Sequence, residues 1–294
     1  MSYNNSSSSS SSVNSTNSVW SLGSYNEFAI FILPVSAHLV KLSNISSGDC
    51  VLDVACGTGN TAITAKRMVP GIRVTGIDFT PELLAQAKEQ ASIADVEDIE
   101  WKEANVENLP FKDGIFDVVL SSFGHMFAPH PEIAIKEIIR VTKPGGCIAF
   151  STWAFELVYG KLFKTMSKHL PANTANSLYS SNNQSEQQQK QPPSPMQWGN
   201  PETIQKLVVD GGSSDVSIED IHFERRVVKI PVLSPNHYWA RTSTKSGSVI
   251  QAIQAIKEPS KIEALKKDVL EAIFPYYTDN ELRLDYLITV ATKL

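Results

Sequence analysis

Two periodicities alternate along the first half of the chain. Cys50-Val51-Leu52-Asp53-Val54-Ala55 is an apolar run of strand length, broken by a single acid, and a helical pattern follows from Thr61 to Met68. Arg73 to Asp78 predicts a second strand. Thr80-Pro81 then starts a helix, with Thr80 as N-cap, Pro81 in the first helical position, and Leu83, Leu84, Ala87 and Ala91 as the apolar side. Ile99 to Lys102 alternates like a half-exposed third strand, and Phe116 to Ser122 predicts a fourth. A helix from Pro131 carries Ala134, Ile135, Ile138 and Ile139 on one face and ends before Pro144-Gly145-Gly146, a stop and turn signal. Cys147 to Trp153 is the fifth strand. Strands alternating with helices imply an α/β fold: a Rossmann-like, doubly wound, mostly parallel sheet.

The second half is patterned less regularly. Asn200 caps a helix from Pro201 to Val209 that ends at Gly211-Gly212, and a long alternating segment from about Ile218 to Ile230 predicts a strand. Helical stretches follow at about 236 to 256 and 260 to 274, and Asp285 to Ala291 is the last of seven strands. Upstream of the sheet, FAIFILPVSAHLV (28 to 40) predicts a helix that packs on the domain; it is too short to span a bilayer. Residues 1–18 are almost all Ser, Asn and Thr, and residues 177 to 195, within an insertion of about 174–196, are rich in Ser, Asn, Gln and Pro. Such segments bury too little apolar surface to offset their ordering entropy, so both are expected to be disordered. The expected organisation is a tail (1–18) and a single domain (19–294). Within the domain, residues 19–155 form the ligand-binding core and 156–294 the substrate-side elements.

Composition narrows the function classes. The net charge is −5 and no run of Lys or Arg stands out, which disfavours a nucleic-acid partner. Cys50, Cys56 and Cys147 lie in apolar or glycine-rich contexts without metal-ligand spacing, so they are read as reduced core residues and no metal site is expected. No basic residue precedes Lys41, unlike a secretory or mitochondrial leader, so the expected location is cytoplasmic with no transmembrane segment.

The chemistry concentrates in VLDVACGTGN, residues 51 to 60. An acid in a core strand is unfavourable unless something positive or hydrogen-bonding meets it. Gly57 and Gly59 mark a tight turn or a close approach at the end of that strand, which in a doubly wound sheet is where ligands bind. Gly57-x-Gly59-x-x-Ala62, with Asp78 about twenty residues on, also fits the loose dinucleotide fingerprint, so a nicotinamide-dependent oxidoreductase is one reading. Asp53 weighs against it, since a carboxylate at the strand end repels a pyrophosphate. S-adenosylmethionine carries an ammonium and a sulfonium but no phosphate, and its ribose still has use for Asp78.

VLDVACGTGN resembles the first motif of the class I S-adenosylmethionine-dependent methyltransferases. GIDFTPELLAQAK (76 to 88), NVENLPF (105 to 111), FDVVLSSFG (116 to 124) and RVTKPGGCIAF (140 to 150) resemble their later motifs, in order and spacing over about residues 45 to 155. The closest likeness is to the branch that includes the ubiquinone and menaquinone C-methyltransferases, and WGNPETIQKLV (198 to 208) resembles a segment of many small-molecule members. The resemblance implies a seven-stranded class I methyltransferase fold with an antiparallel last strand and a helical C-terminal elaboration. It implies S-adenosylmethionine as cofactor. Asp53 would hold the methionine end, and Ala55, Cys56, Gly57, Thr58 and Gly59 would line the cofactor. Asp78 would accept the ribose hydroxyls, Phe79 would pack near the adenine, and Asn105, where many members have Asp, would meet the adenine edge with Val106. Ser122 would lie under the methionine carboxylate or the methyl group. His125, just beyond the fourth strand, is the candidate general base, should the acceptor have to lose a proton; the alternative is a histidine that hydrogen-bonds the loop or shapes the pocket. Phe123-Gly124-His125-Met126-Phe127, after the fourth strand, is the acceptor-side stretch, and Trp153, Tyr238-Trp239 and Phe274 to Tyr277 are candidates to line an apolar or aromatic small-molecule site. A cofactor-binding protein without catalysis remains an alternative.

Overall fold

The computed structural model describes residues 22–171, 195–211 and 218–294. The predicted tail and most of the predicted insertion lie outside the described residues. The insertion's last two residues do not: Pro195 and Met196 open a 3-10 turn, Pro195–Gly199, which delivers Trp198 into the core at 1% exposure.

β1 (Cys50–Val54), β2 (Arg73–Asp78), β3 (Ile99–Glu103), β4 (Phe116–Ser122) and β5 (Thr142–Trp153) are parallel. Val51, Leu52, Val54, Leu120 and Ile148 are buried, as expected of strands covered on both faces. Three further strands complete the sheet: β6 (Ile218–Pro231), the two-residue β7 (Tyr277–Thr278) and β8 (Glu281–Lys293). The order is β3-β2-β1-β4-β5-β8-β6, with β8 antiparallel to both neighbours and β7 paired to β8. β7 is the strand that the pattern did not predict. It pairs through a tight turn at Asp279-Asn280, both at positive φ, as a primed hairpin turn requires. β5 also starts five residues early. Thr142 pairs with Phe116, the register breaks, and pairing resumes at Val118 and Cys147. Pro144-Gly145-Gly146 is therefore a bulge within the strand rather than the turn before it.

The helices follow their apolar stripes. α1 (Tyr25–Ala29), a 3-10 turn (Ile30–Ile32) and α2 (Leu33–Leu42) replace the single N-terminal helix expected over 28–40. α3 (Asn60–Met68), α4 (Pro81–Ile93) and α5 (Pro131–Val141) connect the parallel strands, and Ala134, Ile135, Ile138 and Ile139 of α5 are all buried. α6 (Val158–His169) follows β5. α7 (Pro201–Gly211) is capped by Asn200, whose Oδ1 accepts from the Thr203 N–H at 3.0 Å. The stretch predicted over 236 to 256 is two helices, α8 (Pro235–Lys245) and α9 (Gly247–Ile256), parted at Ser246, which is extended. α10 (Pro259–Ile273) completes the helical elaboration. Among the described residues, no helix is long and apolar enough to cross a membrane.

Candidate functional site

The chain runs outward from β1 to β2 and β3, then returns to β4 on the other side of β1. Such a reversal opens a crevice at the carboxyl ends of the strands. Here it is a cleft of about 1220 Å³, open solvent at its mouth included. The backbone is strained on both sides. Ala55, just past β1, has φ +52° and Phe123, just past β4, has φ +60°; non-glycine residues adopt such angles only where their surroundings enforce them. The two strand ends also crowd each other, because a Cβ on Gly124 would collide with the Ala55 carbonyl oxygen.

Asp53 is buried at 1% exposure and lines the cleft. Its Oδ2 accepts from the Ala62 N–H in the first turn of α3 at 2.9 Å, whereas its Oδ1 has no partner. Burial, and after it the nearby Asp78, pushes its pKa up to about 8 against the pull of the Ala62 amide. A buried carboxylate oxygen left bare beside a cleft is the arrangement that a cationic ligand completes.

Asp78, at the end of β2, is 4% exposed. Its Oδ2 accepts from the Gly57 N–H and its Oδ1 from the Thr80 N–H, both at 2.9 Å. These amides orient the carboxylate on the cleft wall, where it can accept from hydroxyl donors. Burial raises the Asp78 pKa, and the Thr80 and Gly57 amides oppose the rise. Between the acids lies Cys56, whose thiol pKa is pushed well above its ordinary range, first by burial and then by the two carboxylates. It is a neutral wall, not a nucleophile.

The remaining candidates divide. Ala55, Cys56, Gly57, Thr58, Phe79, Asn105, Val106 and Ser122 all line the same cleft as Asp53 and Asp78. Asn105 is exposed, and its Oδ1 accepts from the Glu107 N–H at 2.9 Å, which leaves its amide nitrogen free to donate. Ser122 shares a hydrogen bond with Ser151 at 3.0 Å. Gly59 does not line the cleft: it is the N-cap of α3 at φ +82°, and the group that approaches its α-carbon is the Trp101 ring.

His125 is the main correction. It is fully buried, absent from the cleft wall, and packed against Phe150 and Trp198, each at 4.6 Å between ring centroids. Neither ring nitrogen has a partner, and burial lowers its pKa to about 3. A neutral imidazole sealed behind the wall cannot take a proton from an acceptor in front of it. The predicted aromatic lining is also corrected. Trp153 is stacked behind Phe123 at 4.0 Å, Tyr238 and Trp239 are in the core, and Phe274 is 68% exposed. None of them lines the cleft.

Pattern reading missed a further part of the wall. Ile32 and Ser36, from the N-terminal helical segment, line the cleft together with Asn60 and Thr61. Ser36 and Thr61 share a buried hydrogen bond at 3.0 Å, and the Asn60 amide donates to the Ala29 carbonyl at 2.8 Å. The available signal was Ser36 itself, a hydroxyl within an apolar run. Phe123 and Phe127, from the stretch after β4 expected on the acceptor side, line the cleft too, and Pro129 joins them.

Comparison with known proteins agrees with this geometry. A family model described as a methyltransferase domain matches residues 51–146. The uncharacterised protein Rv1403c of Mycobacterium tuberculosis is 34% identical over 278 residues, covering 94% of this chain and 93% of its own. The ubiquinone/menaquinone biosynthesis C-methyltransferase UbiE of Bdellovibrio bacteriovorus is 44% identical over 108 residues, 37% of this chain and 46% of that protein. Among solved structures, the YcgJ protein of Bacillus subtilis superimposes with a TM-score of 0.54 at 18% identity, covering 87% of this chain and 97% of its own.

Proposed function

We propose that the chain, a member of the class I S-adenosylmethionine-dependent methyltransferases, binds S-adenosylmethionine in the cleft and transfers the methyl group to a small-molecule acceptor. The observation that carries this reading is the bare, buried Oδ1 of Asp53 beside the oriented carboxylate of Asp78. Asp53 would meet the ammonium of the methionine end. The Asp78 carboxylate would accept the ribose hydroxyls. Phe79 and Leu83 would flank the adenine, with Asn105 and the Val106 backbone at its edge, and Ser122 would lie near the methyl group. A dinucleotide pyrophosphate would meet two acids and, among the described residues, no cationic side chain along this wall.

When bound, S-adenosylmethionine supplies a methyl group on a sulfonium, a leaving group already activated for in-line displacement. The chain's own task is then to align the acceptor and exclude water. Ile32, Phe123, Phe127 and Pro129 provide an apolar wall for that purpose. The wall favours an apolar or aromatic acceptor of small size, and the reaction is proposed to be cytoplasmic. The titratable side chains of the wall, Asp53, Asp78 and Cys56, lie on the proposed cofactor side. An acceptor that brings its own nucleophilic lone pair suits such a site.

The decisive experiment has two stages. Calorimetric titration with S-adenosylmethionine should give a saturable isotherm, and NADH should not. Incubation with methyl-labelled cofactor and a small-metabolite extract, read by mass spectrometry, should yield a labelled product. Saturable binding without label transfer would leave a cofactor-binding protein without catalysis.

A further inference from the structure

Trp101 is the only aromatic residue of β3, and it stands opposite Gly76 in the register with β2. Paired residues of neighbouring strands point to the same face of a sheet, so a side chain at position 76 would compete with the indole for space. A Cβ on Gly76 would stand 2.5 Å from Cζ3 and 2.7 Å from Cε3 of Trp101. The far edge of the same ring reaches the start of α3, where a Cβ on Gly59 would stand 2.6 Å from Cη2. Strands lie about 4.8 Å apart, so a bicyclic ring laid across a glycine is long enough to bridge β2 from β3 to that residue.

What the ring abuts is the segment that organises both cleft acids. Gly59 closes the turn by donating its N–H to the Cys56 carbonyl at 2.9 Å, and it begins α3. Two residues before Gly59, the Gly57 N–H holds Asp78; three residues after it, the Ala62 N–H holds Asp53. Yet Trp101 itself is not part of the cleft wall. We infer that Trp101 is a positioning residue: its ring, seated on Gly76, holds residues 57 to 62 where they orient both carboxylates. The loss of affinity this predicts rests on the cofactor reading above; the predicted loosening of the turn does not.

Hydrogen exchange by mass spectrometry on the ligand-free Trp101→Ala protein, paired with calorimetric S-adenosylmethionine affinity, tests the inference. Ile138→Ala, a buried truncation on α5 far from the turn, is the control for a general packing defect. In Trp101→Ala, amides of residues 57 to 63 should exchange at least tenfold faster and the dissociation constant should rise roughly tenfold, because a pre-organised site has become a mobile one. Ile138→Ala should lower thermal stability while leaving both readouts within about twofold. Should Trp101→Ala fail to fold, Gly76→Ala takes its place, since the added methyl must lift the ring, and the same two changes are expected. Exchange at 57 to 63 no faster than in the control would overturn the inference. Faster exchange in a protein whose parent binds no S-adenosylmethionine would sink the proposed cofactor and leave the role of Trp101 standing.

Discussion

Asp53 makes the proposed chemistry measurable before any acceptor is known. Its pKa is about 8 in the ligand-free cleft, against an ordinary value of 3.8. A folded-state pKa raised in this way contributes stability that is fully present below about pH 4 and is lost as pH rises through about 8. The ligand-free protein should therefore weaken over that window, by up to about 6 kcal/mol for a shift of this size at about 1.36 kcal/mol per pH unit. A cation at Oδ1 requires the ionised form. Below pH 8, binding must release a proton, and affinity should rise about tenfold per pH unit. Between pH 5 and 7 the predicted gain is about a hundredfold. An amino acid's own ammonium stays charged over this range, since the free carboxylate beside it holds its pKa above the roughly 7.7–8.0 of a chain-terminal α-amino group. Calorimetric titrations at pH 5, 6 and 7, each in two buffers of different ionisation enthalpy, would give affinity and proton release together, with about 0.9 proton released at pH 7. Asp53→Asn should bind more weakly at pH 7 and show neither the pH dependence nor the proton. A wild-type affinity that is flat from pH 5 to 7, with no proton released, would refute the cation contact.

Asp78→Ala removes the acceptor proposed for two hydroxyls, bonds to a charged group of roughly 1.5–3 kcal/mol each, so S-adenosylmethionine affinity should fall at least tenfold with circular dichroism unchanged; an unaltered dissociation constant would eliminate the ribose contact. His125→Phe replaces a ring with two unpartnered nitrogens by an apolar ring of similar size, so the melting temperature should hold or rise and methyl transfer should persist; a fall in turnover of roughly 10²–10⁴ with intact binding would restore the base role. Lys293→Met strips the buried Nζ that donates to the Ile139 carbonyl at 2.9 Å and the Thr142 carbonyl at 2.7 Å, and urea unfolding should show a loss of about 1–3 kcal/mol; no loss would mean that water satisfies these carbonyls as well.

Short-range pattern was enough for much of this protein. Burial on both faces writes itself as continuous apolar runs, so the five parallel strands and their connecting helices were legible from residues 50 to 153. The turn after β1 and the acids Asp53 and Asp78 were legible too, because tight turns and strand-end carboxylates draw on few residue types. Tertiary structure decided what stands beside those residues. The sequence allows a tight turn or a ligand's approach at Gly59; the tight turn is there, and the space beside it is taken by Trp101, forty-two residues on and two strands away. His125 was read as facing the cleft, but Trp198, delivered by a turn seventy-three residues later, seals it against Phe150. Ser36 gained its place on the wall only when α2 settled on Thr61. Periodicity records which face of an element is buried and for how long. It carries no record of which distant side chain does the burying, because any apolar group of suitable size satisfies the same pattern.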